Sequence, residues 1–137
     1  MAHKEIQATQ KTSLGVLPLL RTSTAVTGAF WSLSRAHGAL FIFISGAVGS
    51  AVTCAVIQGK TAGATAGSTA TIAGKTTAFA TTDTNTVKLI EVEASELDIA
   101  NSYISVAAKI SVAGAGACLG CAVVRKPLRY NPPAYVT

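Results

Sequence analysis

The chain has 137 residues, half of them apolar and 12% charged, with a net charge of +5 at neutral pH. That length fits one domain that buries a core without disulfide or metal staples. So little charge leaves a surface built from Ala, Thr, Ser and Gly, or one covered by a partner or by lipid. The basic residues are too sparse, and too little interleaved with aromatics, for a nucleic-acid-binding stripe.

Residues 1–23 mix polar and basic side chains with an apolar patch at Leu14–Leu20, broken by Pro18. The patch is too short for a signal-peptide core, and Gly15, Pro18 and Arg21 interrupt or follow it. No period holds, so the segment reads as an extended arm docked on its own domain or on a partner. Thr24–Ser34, rich in β-branched and aromatic residues, reads as a strand, and Arg35–Gly38 as a turn.

Gly38–Gln58 contains no charge. As one helix it is long enough to cross a bilayer, which takes about 20 apolar residues. The Gly-Ala-Val-Gly-Ser break in its middle and the lack of a flanking aromatic belt favour two buried strands instead. They are joined at Ser45–Ser50 as the central hairpin of a β-sandwich.

Gly59–Gly74 is a low-complexity tract of Gly, Ala and Thr, expected as a loop or ragged edge that continues through Thr76–Asn85. Thr86–Glu93 is a strand whose alternation slips at Leu89-Ile90, the mark of a bulge or strand end. Ala94–Ser102 is a connection with one helical turn at Ser95–Asp98. Tyr103–Val112 has strict period two, with Ile104, Val106, Ala108, Ile110 and Val112 on one face. Ala113–Gly116 is a turn and Ala117–Val124 a last apolar strand. Arg125–Thr137 is a basic ending whose prolines keep it extended and out of a sheet interior.

Six or seven short strands with Gly-rich turns and no helix predict an all-β, antiparallel β-sandwich, jelly-roll-like. The expected organisation is an N-terminal arm over 1–23, a sandwich over 24–126 and a C-terminal tail over 127–137.

No motif carries chemistry. Cys118-Leu-Gly-Cys121 is a C-x-x-C, but it lies in a strand pattern that sends positions three apart to opposite faces. A zinc site would need two more ligands from Cys54, His3 and His37. The odd cysteine count and the absence of a disulfide framework suit a reducing compartment. Gly59-Lys60-Thr61 and Gly74-Lys75-Thr76 mimic the end of a P-loop, with Cys54 and Thr69 where its first glycine belongs. The acids Asp83, Glu91, Glu93, Glu96 and Asp98 form a charged surface block, not a catalytic pair. Phe30 and Trp31 read as core, with an interface anchor as the alternative. The expectation is a non-enzyme with no cofactor and no metal.

The layout carries a resemblance. A strand opens near Gly38-Ala39, turns at glycines and is followed by one ending in Ile57-Gln58. A Gly/Ala/Thr loop leads to a strand ending in acids, then to Ser102-Tyr103-Ile104-Ser105-Val106. The last strand closes in Val124-Arg125-Lys126-Pro127-Leu128-Arg129-Tyr130. Over about residues 24–130 this resembles the small capsid cement, or decoration, proteins of tailed bacteriophages, in length and layout those of short-tailed Bordetella phages. The resemblance implies a jelly-roll-like sandwich on the outside of the head, paired at local twofold axes and clamping neighbouring major capsid subunits. It implies no catalytic site; the sparse basic residues and the broken 38–58 stretch add the expectation of no nucleic-acid and no membrane partner. The 23-residue arm departs from many short members of the family.

Arg21 in the arm and Arg125, Arg129 and Tyr130 in the tail are the capsid-contact candidates. Ala39–Ser45 is expected to be buried on both faces, one against its own sandwich and one against an arm, a second subunit or the shell. The competing functions are a small integral membrane protein with a span at about 38–58, and a host-binding module on a tail or fibre.

Overall fold

The computed structural model describes residues 11–22, 24–63 and 68–127. Nine strands form two antiparallel sheets: β1 (Lys11–Arg21), β2 (Ala25–Thr27), β3 (Trp31–Ser32), β4 (Ala36–Val48), β5 (Val52–Gly59), β6 (Thr69–Phe79), β7 (Val87–Glu93), β8 (Ser105–Val112) and β9 (Ala117–Pro127). The first sheet has the order β1-β9-β4-β7. The second has the order β2-β8-β5-β6, with β3 also pairing β8. With β2 and β3 taken as one interrupted strand, the chain changes sheet at every connection except β5 to β6. That is the jelly roll, a double Greek key of eight strands.

Alternation within the strands explains the two layers. In β4, Ala39, Phe41, Phe43 and Ser45 point inward and are buried. From the other sheet, Val52, Cys54 and Val56 of β5 and Val106, Ala108, Ile110 and Val112 of β8 meet them in one continuous core. Each strand therefore contributes one face to a shared apolar layer, as period two requires. The strand predicted over Tyr103–Val112 is β8 over Ser105–Val112, with Val106, Ala108, Ile110 and Val112 inward as expected, whereas Ile104 precedes the strand and is exposed.

Several expectations change. Gly38–Gln58 is not a hairpin: β4 and β5 lie in different sheets, and the chain turns between them at Gly49-Ser50. The corner is tied down by the Gly49 N–H, which donates to Gly116 O at 3.0 Å, and by Ser50 Oγ, which donates to Ala115 O at 2.9 Å. Glycine and serine suit a hairpin and an inter-sheet corner equally, so composition does not separate them. Among the described residues no helix is long and apolar enough to cross a membrane, and the candidate span is strand.

The loop expected after Gly59 is strand β6 from Thr69 onward, an edge strand paired to β5. Its threonines are β-branched and favour extended backbone, and Ile72 and Phe79 anchor it in the core. Gly74, at φ +75°, sits where the register with β5 shifts. The arm expected over 1–23 is, over Lys11–Arg21, the edge strand β1 of the first sheet. The boundary expected at 23/24 therefore does not separate the sandwich from an arm. Pro18 and two register shifts disrupt its alternation, which hides the strand in the sequence. The single strand expected over Thr24–Ser34 is split at Gly28, where a Cβ would lie 1.9 Å from Gly15 O of β1. Residues 1–10 and 128–137 of the predicted arm and tail lie outside the described residues.

The slip at Leu89-Ile90 is not a bulge. β7 pairs β4 in unbroken register from Gly38↔Glu93 to Ile44↔Val87. Lys88 points inward, its ammonium 5.0 Å from the centre of the Phe79 ring and 3.1 Å from Asp83 Oδ2, while Val87 and Leu89 point out.

Candidate interface

Residues directly opposite on neighbouring antiparallel strands share a face, so the register of the first sheet maps its outer surface. One row runs Leu14, Ala122, Ile42, Leu89 across β1, β9, β4 and β7. The next runs Gly120, Ile44, Val87, and the row on the other side runs Val124, Leu40, Glu91. The middle of this face is wholly aliphatic. Charge appears only toward one end, at Glu91 and at the row Lys126, Gly38, Glu93.

These side chains are not covered by the described residues. Ile44 is 49% exposed, Val87 55%, Leu89 59% and Leu14 52%. Leu40 and Ile42 are half-buried. Of the burial expected on both faces of Ala39–Ser45, the described residues supply the inward side. Among the described residues no arm lies over the outward side; Lys11–Arg21 joins the sheet edge as β1. Contiguous exposed aliphatics of this kind mark interaction surfaces, whereas isolated ones do not.

The face has relief as well as composition. A groove of about 300 Å³ runs over β9, lined by Leu14, Pro18, Ile44, Cys118, Gly120 and Ala122 among others. Its floor is low because β9 presents Cys118, Gly120 and Ala122 outward. Pro18 overhangs Gly120, where a Cβ would meet it at 2.8 Å. Beside the groove, Leu40, Ile42 and Ile44 of β4 stand up as a ridge.

The outer face of the second sheet differs. Its rows read Ala25, Ser111, Thr53, Ala78 and Thr27, Lys109, Ala55, Thr76. Ile57 on this side packs with Phe30 and Ala107 in a small buried cluster.

The predicted contact residues are dispersed. Arg21 ends β1, where its Nη2 donates to Leu17 O at 3.1 Å. Arg125 points inward at the other end of β9, its guanidinium 5.0 Å from the centre of the Trp31 ring. Arg21 pairs Ala117 and Lys11 pairs Arg125, so the two arginines sit at opposite ends of β9, roughly 26 Å apart at ~3.3 Å per residue. Arg129 and Tyr130 lie outside the described residues. Phe30 is core, while half-buried Trp31 packs on the core beneath Arg125.

The cysteines do not form a reactive pair. Cys121 is buried, whereas Cys118 faces the groove, and all three thiols are free. Burial pushes Cys54 up to about 12, and burial together with the nearby Cys54 pushes Cys121 up to about 12. Among the described residues no three His, Cys, Asp or Glu side chains are grouped to hold a metal ion.

The fold has known counterparts. A subviral particle of infectious bursal disease virus VP2 is similar with a TM-score of 0.56 at 10% identity, over 93% of this chain and 34% of that one. The chain from particles of T=1 symmetry derived from the same virus gives 0.53 at 13% identity, over 92% and 33%. A subunit of Bacillus endospore appendages, disulfide-linked pili, gives 0.44 at 14% identity, over 87% and 90%. This chain spans about a third of the two viral chains, and the likeness defines the jelly-roll class of β-sandwich. No protein-family model matches the sequence, and no curated protein matches it.

Proposed function

We propose that this chain is a structural virion protein: a cement, or decoration, protein that binds the outside of a tailed-phage head and clamps neighbouring major capsid subunits. The observation that carries this reading is a jelly roll whose first sheet turns an uncharged aliphatic surface outward. Contiguous exposed aliphatic surface of this kind suits assembly. The two viral neighbours are particle proteins, and the layout resembles cement proteins; both support a shell role. The protein works as a homodimer at local twofold axes, without enzymatic activity. Arg21, Arg129 and Tyr130 are the proposed capsid contacts, whereas Arg125 points inward over Trp31.

Quantitative mass spectrometry of purified heads and tails tests this. The expected result is many copies per head and none in the tail fraction. Absence from heads contradicts the proposal, and recovery with tails assigns the protein to a host-binding module instead.

A further inference from the structure

We infer that the aliphatic face of the first sheet is covered by a second copy of this chain, with the twofold axis lying along the strands. The inference rests on the pairing proposed above and gives that pairing a surface and a geometry.

A twofold interface must be self-complementary, because each patch meets its own copy. The relief of this face meets that condition in one orientation. The ridge on β4 (Leu40, Ile42, Ile44) and the groove over β9 (Cys118 and Ala122, walled by Leu14 and Pro18) lie side by side at the centre of the four-stranded sheet. A twofold axis along the strands, between β4 and β9, sets the ridge of each copy into the groove of the other. Ile42 then meets Ala122 of the second copy, Ile44 meets the Pro18 that covers Gly120, and Leu14 meets Leu89. An axis across the strands would stack ridge on ridge and groove on groove. The chosen orientation lets the sheets pack nearly aligned, as sandwich layers do, about 10 Å apart.

Charge agrees with the same orientation. Lys126 and Glu93 sit in one row, separated by Gly38, so within a copy they are roughly 9.6 Å apart, two strand spacings. Rotation about the strand-parallel axis brings Lys126 of one copy beside Glu93 of the other, with Glu91 one row further on. The pair forms twice, once on each side of the axis. An acid and a base placed to meet across a twofold, beyond an otherwise uncharged face, specify a second copy of this chain over an unrelated surface.

The test is the oligomeric state of the purified full-length chain, without capsids, by analytical ultracentrifugation. Wild type is expected to sediment as a dimer. Ile42→Asp should weaken association more than tenfold while circular dichroism keeps its β-sheet signal. Lys126→Glu and Glu93→Lys should each weaken it several-fold, and the double variant should recover most of the loss. A monomeric wild type overturns the inference, as does a dimer indifferent to Ile42→Asp. Charge reversals that do not compensate each other overturn the orientation. A monomeric wild type also removes the homodimer from the proposed function, but none of these outcomes bears on whether the protein is found in heads, so the capsid role and the pairing fail separately.

Discussion

The two sheets of this sandwich share one core and differ on their outer faces. The second sheet shows water Thr53, Thr76, Lys109 and Ser111, short or charged side chains that solvate readily. The first shows Leu40, Ile42, Ile44, Val87 and Leu89, five branched aliphatics on two adjacent strands. Burial of the core therefore does not account for these five side chains. The pairing proposed above gives them a use.

Neighbouring residues of β4 sharpen that contrast most strongly. Phe43 is fully buried and Ile44 is half exposed on the opposite side. Phe43→Ala should destabilise the folded chain by about 3–5 kcal/mol, read from urea denaturation. In the same measurement on dissociated chain, Ile44→Ala should cost under ~1 kcal/mol. A comparable loss from both would mean that Ile44 belongs to the core.

Smaller effects follow where β4 and β7 are held in place. Buried Ser45 Oγ accepts from the Thr86 N–H at 3.0 Å and donates to Asp83 O at 2.6 Å, fixing the loop that leads into Val87. Ser45→Ala strands the Thr86 N–H and should cost about 1–3 kcal/mol, visible as a lowered melting temperature. If stability is unchanged, Val87 and Leu89 owe their position to strand pairing alone.

Thiol reactivity separates inside from outside within one strand. Cys54 and Cys121, with pKa values pushed to about 12 by burial, should resist a thiol reagent at neutral pH until the chain unfolds. Rapid labelling of all three cysteines in the folded protein would contradict the packing of β9.

The least effect is expected at Asp83. The Ala80 N–H, and then Lys88, hold its carboxyl below the usual carboxylate range. A lowered acid pKa contributes stability that is full above the unfolded value and is lost as pH falls through the folded one. Asp83→Asn should flatten the acid limb of the stability profile slightly. An unchanged limb would show that the loop does not depend on this carboxylate.

Much of the sandwich was legible from alternation. Tyr103–Val112 and Ala117–Val124 give β8 and β9 because their periodicity or apolarity is uninterrupted. β6 was hidden because Thr and Ala carry little hydropathy contrast, and β1 because Pro18 and two register shifts break its period. The corner at Gly49-Ser50 was legible as a turn and not as a change of sheet, since sheet membership depends on partners distant in sequence. The interface was present in part: Val87 and Leu89 outside an inward Lys88 registered as a slip in pattern. Only cross-strand register shows that Leu89 lies beside Ile42, and Ile42 beside Ala122. The basic candidates were chosen by charge and position in the chain, and neither property places Arg125 over Trp31.

The central claim is that the aliphatic face, and not the Thr-rich one, serves assembly. Co-sedimentation with heads assembled without this protein tests it most directly, comparing wild type with Ile44→Asp and with Thr53→Asp. Paired copies bind with two sets of contacts, so loss of pairing removes avidity that reaches about 100-fold or more. Wild type and Thr53→Asp should saturate the heads at similar concentrations, whereas Ile44→Asp should require far more. Equal binding by Ile44→Asp, or an equal loss from Thr53→Asp, would contradict the account.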